Sequence, residues 1–110
     1  MDEFSKAAVA YLTRTSALEL APRGIRVNAV CPALIAGTEM MTADDDSADA
    51  RFLRQLTAFG RMGNKSEVVG AYNFLAGDGS TFITGQELCV DDGLSAGLGL
   101  PIMDDVGNMV

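Results

Sequence analysis

The 110-residue sequence predicts an α/β fold, a fragment of a doubly wound parallel sheet with flanking helices. Three observations carry this. Residues 2–22 read as one long helix ending at Gly24. Two short apolar stretches, residues 25–31 and 86–90, read as strands and each stops at a turn signal. Between them lie two further stretches of helical spacing. Strands joined through a helical crossover lie parallel. Two strands alone bury too little apolar surface to be robust, so the pair is expected to be part of a larger sheet.

The elements follow in order. In residues 2–22, Val9, Leu12, Leu18 and Leu20 recur with Ala7, Ala8, Ala10 and Ala17 between them. That is a wide apolar surface with few charges, expected to be covered on two sides. Asp2 or Ser5 can cap the start, and Gly24 suits the left-handed position after the end. Ile25 to Cys31 follows as a buried strand, and Pro32 stops it because proline has no N–H to give to a ladder. Residues 39–49 are a loop with Asp44, Asp45 and Asp46 at its centre. Residues 50–59 place Phe52, Leu53, Leu56 and Phe59 at helical spacing. Ser66 is the predicted cap of a helix from Glu67 to Ala76, with Val68, Val69, Tyr72 and Leu75 inward. Residues 77–80 are a turn, Gln86 to Val90 a strand, and Asp91-Asp92-Gly93 its stop.

Composition narrows the function. Residues 1–65 carry eight basic and eight acidic side chains, whereas residues 66–110 carry seven acidic and no basic ones. Phosphate binding needs Lys and Arg, so nucleic acid is not an expected partner. An anionic membrane surface is disfavoured for the same reason. The longest apolar run, Ala29 to Ala36, is far shorter than the about 20 residues of a membrane span. An acidic Met-Asp-Glu opening, two cysteines and no Cys-x-x-Cys imply reduced thiols in a cytoplasm. With no histidine, Ser-His-Asp, Cys-His and His-metal chemistry are excluded. Cys31 and Cys89 read as small buried apolar residues on the two strands. The aspartate run lacks the glycine of an EF-hand, and GRMGNKS lacks the glycines of a phosphate loop.

Ligands of α/β sheets sit just past the carboxyl ends of the strands, which points to the residues after Pro32. There the sequence also acquires a resemblance. Ser5-Lys6-Ala7-Ala8, then LELAPRGIRVNAVCP, GRMG and FLAGDGSTFITGQELCVDDG, as an ordered set, resemble the C-terminal part of the short-chain dehydrogenases/reductases over roughly residues 4–97. The resemblance implies the C-terminal half of a Rossmann-type sheet, two strands plus flanking helices, with residues 98–110 as a tail. It implies NAD or NADP as cofactor and hydride exchange with an alcohol or carbonyl.

By this resemblance Lys6 is the lysine of the family's catalytic Tyr-x-x-x-Lys, which holds the cofactor ribose and lowers the tyrosine pKa. Asp2 stands where the tyrosine belongs. The family's Pro-Gly-x-Ile-x-Thr segment maps onto Pro32, Ile35 and Thr38, which would hold the nicotinamide carboxamide. Ala33 replaces the glycine, Thr38 comes one residue late, and Asp92 stands where the family has glycine. The family's Gly-rich phosphate turn and catalytic serine have no counterpart in these residues. The expectation is therefore an oxidoreductase fragment that neither turns over substrate nor binds the cofactor tightly alone. The alternative is a non-catalytic interaction module. Either reading expects a homo-oligomer, or pairing with a complementing half from a full-length relative.

Overall fold

The computed structural model describes residues 3–37 and 47–97. Its elements are α1 (Glu3–Leu20), β1 (Ala29–Pro32), α2 (Ala48–Gln55), α3 (Lys65–Ala76) and β2 (Glu87–Val90), with single 3-10 turns at Ala21–Arg23, Asp78–Ser80 and Leu94–Ala96. β1 and β2 form a two-stranded sheet. Ala29 N donates to Gln86 O at 2.8 Å and Ala33 N to Val90 O at 3.1 Å. Both chains advance together through these bonds, so the pair is parallel as expected. The predicted start of β1 is too early: residues 25–28 are not strand, and Pro32 is the strand's last residue. Val27 is held instead by a side chain, its N–H donating to Thr84 Oγ1 at 3.0 Å. Among the described residues, no helix is long and apolar enough to cross a membrane.

The chain divides into two compact units, each considered by itself. The first joins the residues up to Cys31 with Gly70–Leu88. Its α1 buries a stripe of small residues, Thr13 and Ala17, while the larger side chains point outward. Phe4 is 85% exposed, Leu12 60% and Leu18 77%. Among the described residues the expected two-sided cover of α1 is therefore absent. The buried position is small because the backbones approach closely there: a Cβ on Gly85 would lie 3.5 Å from the Ala17 methyl. The ring of Ser80, Arg26 and Asn28 ties the unit together. Ser80 is 1% exposed, and its Oγ lies 2.7 Å from Phe74 O and accepts from Arg26 Nη1 at 3.2 Å. Asn28 donates to Ile83 O and accepts from Gln86 N, both at 3.0 Å. Gly24 takes φ 73 after the 3-10 turn, the left-handed stop predicted for it.

The second unit joins Pro32–Val69 with the residues from Cys89 onward. Ser47 caps α2, its side chain accepting from Ala50 N at 3.2 Å. This helix starts before residue 50 and ends well before residue 59, and it buries Ala50 and half-buries Leu53; Phe52 and Phe59 are exposed. The cap of α3 is Asn64, not Ser66. Asn64 Oδ1 accepts from Glu67 N, and Glu67 Oε1 accepts from Asn64 N, both at 3.1 Å. This is a reciprocal capping box, spaced three residues as Asn-x-x-Glu, and it draws the helix start back to Lys65. The Ser66 hydroxyl donates to Asn64 Oδ1. Of the predicted inner face, Val68 and Leu75 are half-buried while Val69 and Tyr72 are exposed.

Arg61 clamps the same cap from outside. Its Nη1 and Nη2 donate to Glu67 Oε1 and Oε2 at 2.8 and 3.0 Å. The Arg61 hydrogen bond, with the Asn64 N–H behind it, lowers the Glu67 carboxyl pKa to about 2. A carboxyl depressed on folding adds stability above its unfolded pKa, about 4.3, and loses it as pH falls through the folded value. Glu67→Gln should therefore be less stable than the parent at neutral pH, with the gap closing between about pH 5 and 2 in urea titrations. Asn64→Ala should cost about 1 kcal/mol in the same assay.

Candidate functional site

The carboxyl ends of β1 and β2 supply the candidate site, and its residues all lie in the second unit. After Pro32 the chain cannot continue as a donor to the ladder, and it turns. Leu34 takes φ 57, Ala36 N donates to Gly63 O at 2.8 Å, and Gly63 N donates to Leu34 O at 3.0 Å. These two bonds make Ile35 and Gly63 an isolated parallel bridge. Ile35 is 9% exposed, and a Cβ on Gly63 would lie 2.9 Å from its δ-methyl, so a side chain at position 63 would have to displace that methyl. The glycine missing at Ala33 is therefore not needed for a positive φ at that position: the left-handed residue is Leu34, one place on.

β2 ends the same way. Asp92, two residues after Val90, takes φ 53. Its carbonyl accepts from Ala58 N at 2.9 Å and its Oδ1 from Phe59 N at 2.8 Å. Its other carboxylate oxygen, Oδ2, is buried without a hydrogen-bond partner. Asp91 secures the following turn, accepting from Gly93 N at 3.2 Å and Ser95 N at 3.0 Å. Aspartate is among the few residues that tolerate the left-handed region, which explains how it stands in for the family's glycine.

Between these two turns lies a cavity of about 220 Å³. Ile35, Gly63, Asp92 and Cys89 line it, with Phe59 and the Arg61–Glu67 pair. The Arg61 guanidinium lies 5.8 Å from the Phe59 ring centroid, a cation–π contact. Cys89 is exposed and Cys31 half-buried, so the expectation of two buried thiols fails for Cys89. In β2 the alternate residues Glu87 and Cys89 share the exposed face, which periodicity alone did not assign. Among the described residues no cluster of side chains could hold a metal ion.

The predicted site residues fall as follows. Pro32 is exposed at the end of β1, and Ile35 is buried on the turn that follows, so these two are brought onto one segment. Lys6 is exposed on α1, in the first unit. Thr38 and Asp2 lie outside the described residues, as do Asp44 to Asp46 and residues 98–110. Sequence reasoning missed Gly63, Arg61 and Glu67 as site residues; the Asn-x-x-Glu spacing and the Gly-x-x-Gly of residues 60–63 were the available signals. At position 92, Asp92→Ala should be less stable than Asp92→Gly by about 1 kcal/mol in thermal melts. Both lose the bond to Phe59 N, but only alanine is strained at φ 53.

Comparison with known proteins agrees with this architecture. A family profile described as enoyl-(acyl carrier protein) reductase matches residues 2–95. Glucose 1-dehydrogenase from Gluconobacter oxydans is 45% identical over 91 residues, covering 83% of this chain and 34% of its own length. A short-chain dehydrogenase/reductase structure from Serratia marcescens superposes with a TM-score of 0.76 at 41% identity, over 84% of this chain and 36% of the other. A blue fluorescent protein from a metagenomic library, solved in complex with NADPH, gives a TM-score of 0.74 at 34% identity, over 83% of this chain and 36% of the other. The chain thus spans little more than a third of the length of these relatives. With the ordered motifs, the parallel pair and its crossover all accounted for, the chain belongs to the short-chain dehydrogenase/reductase family.

Proposed function

We propose that these residues form the substrate-side half of an NAD- or NADP-dependent oxidoreductase acting on an alcohol or carbonyl, and that the chain alone does not catalyse the reaction. The observation that carries this is the Pro32–Ile35 turn, pinned by the Ile35–Gly63 bridge at the carboxyl end of a parallel strand, where α/β folds hold their ligands. The cofactor would supply the hydride. By the family resemblance, the Pro32–Ile35 turn and Thr38 are the residues that would take the nicotinamide and Lys6 the one that would take the ribose. For the pyrophosphate there is no Gly-rich turn in these 110 residues, so tight binding by this chain is not expected. Asp2 is too short to serve as the tyrosine, which has to donate and recover a proton at the substrate oxygen.

Purified chain mixed with NAD or NADP and a panel of alcohols should form no reduced nicotinamide. An Asp2→Tyr variant, combined with the part of the Gluconobacter glucose 1-dehydrogenase outside the matched stretch, should turn over alcohol. In that background Lys6→Ala should lower kcat/KM by about a hundredfold or more. Turnover by the unaltered chain alone, or an inert combination, overturns the reading.

A second reading, an interaction module, is favoured by one observation: the exposed Phe4, Tyr11, Leu12 and Leu18 on α1. Self-association through this face would cover them. Sizing should then show a dimer that Leu18→Lys dissociates; a monomeric parent at high concentration overturns this.

A further inference from the structure

Beyond the Ile35–Gly63 bridge, two residues further along each segment, Gly37 and Lys65 meet. Both belong to the second unit. A Cβ on Gly37 would lie 3.1 Å from Lys65 Cε and 3.5 Å from its Nζ. Gly37 takes φ 85, which glycine adopts without strain, and its missing side chain leaves the room that the lysine stem occupies. The Lys65 ammonium is therefore set against the backbone of the turn that follows Pro32 and Ile35. Local chemistry does not explain a lysine there. It is the first residue of α3, where the helix presents its positive end and disfavours a cation. It is exposed, so core packing does not require it. The carboxylates lining the neighbouring cavity are engaged: Glu67 by Arg61, Asp91 by the N–H groups of Gly93 and Ser95, and Asp92 Oδ1 by Phe59 N. Among the described residues no carboxylate pairs with Lys65.

A residue that runs against local preference marks a place where a fold serves a ligand. An ammonium without a carboxylate partner takes an anion, and phosphate and carboxylate oxygens are its strongest acceptors. The proposed reading puts the nicotinamide against the Pro32–Ile35 turn, and Gly37 follows that turn by two residues. On a nicotinamide dinucleotide the anion nearest the ring is the phosphate one ribose away, and NAD and NADP share it. We infer that Lys65 is a cofactor-binding residue that donates to this phosphate and gives the nicotinamide end of the dinucleotide a charged anchor. This rests on the proposed oxidoreductase reading and adds a contact within the same site. The start of α3 does not serve in its place, because Asn64 Oδ1 already accepts from Glu67 N and the Glu67 carboxylate stands beside it. An acidic substrate fits less well. Arg61 in the adjoining cavity is held by Glu67, and Asp91 and Asp92 line the same cavity, where they would repel a carboxylate.

Titrations of the full, isotope-labelled chain with nicotinamide mononucleotide, and with nicotinamide riboside, which lacks the phosphate, test this through the amide shift of Gly37. At low salt the mononucleotide should bind about fivefold more tightly than the riboside, and the ratio should fall toward one at high salt. Lys65→Gln should bring the ratio to about one at low salt, whereas Lys65→Arg should keep most of it. Position 65 is exposed and both replacements favour helix, so the variants should melt as the parent does. If a variant melts early, the salt dependence of the parent's ratio decides the question alone. A mononucleotide that binds no better than the riboside, or leaves Gly37 unshifted, overturns the inference. So does a preference that survives Lys65→Gln on an intact fold. Lactate that shifts Gly37 through Lys65 where the mononucleotide does not also overturns it, in favour of an acidic substrate. In the Asp2→Tyr combination with the Gluconobacter part, Lys65→Gln should raise KM for NAD by about fivefold at nearly unchanged kcat. Turnover with that KM unmoved leaves the oxidoreductase reading standing and removes this inference. A Lys65-dependent preference for the mononucleotide beside an inert combination does the reverse.

Discussion

The parallel pairing of β1 with β2 is the constraint on which the rest depends. Parallel strands cannot be closed by a tight hairpin, so residues 33–86 all serve as the crossover between them. The pairing sends both strands out at the same edge, and their carboxyl ends therefore emerge together. That is why the turn after Pro32 and the turn after Val90 line one cavity with Gly63 between them. Nothing in the local chemistry of either turn would predict the other as its neighbour. The ladder decides it, through Ala33 N and Val90 O.

The two strands stop by one device. Each is followed, two residues after its last member, by a non-glycine residue in the left-handed region: Leu34 at φ 57 and Asp92 at φ 53. Such a conformation costs about 1–2 kcal/mol for an L-residue. In each case the carbonyl of the strained residue accepts an N–H from the crossover: Gly63 N for Leu34, Ala58 N for Asp92. Asp92 adds its carboxylate to Phe59 N. Strain at a strand end is thus held by the segment that must be positioned there, and strain of this kind gathers where a fold arranges a site. The Arg61–Glu67–Asn64 clamp fixes the far side of that segment by capping α3 at the point where the chain leaves Gly63.

Burial is uneven in a way that bears on function. The buried apolar residues among those described are Ala17, Ile35, Ala50 and Met62, whereas Phe4, Leu18, Phe59 and the 102% exposed Phe82 face outward. Small residues occupy the interior because elements approach closely at Gly85 and Gly63. Exposed large apolar residues are where a partner surface would pack under either proposed reading. The oxidoreductase and interaction readings share this requirement and differ only in what covers the surface.

The order and type of the elements were legible in the sequence, as was membership of the family. Helical spacing, Pro32, Gly24 and Asp91-Asp92-Gly93 are local signals, and local chemistry decides where a strand or helix stops. The positions of Pro32 and Ile35 on a strand-ending turn followed from the same signals. Which face of each helix turned inward did not follow. Leu12 and Leu18 are more apolar than Thr13 and Ala17, yet the smaller pair is buried, because the distance between packed backbones sets side-chain size and the sequence carries no distances. The start of α3 moved from Ser66 to Asn64 because a reciprocal bond with Glu67, reinforced by Arg61, outweighs a lone hydroxyl. The left-handed residue fell at Leu34 and not at Ala33, and the Ile35–Gly63 bridge formed, only because β1 and the crossover meet there. Local chemistry names the elements; contacts between residues far apart in the chain decide which atoms face one another.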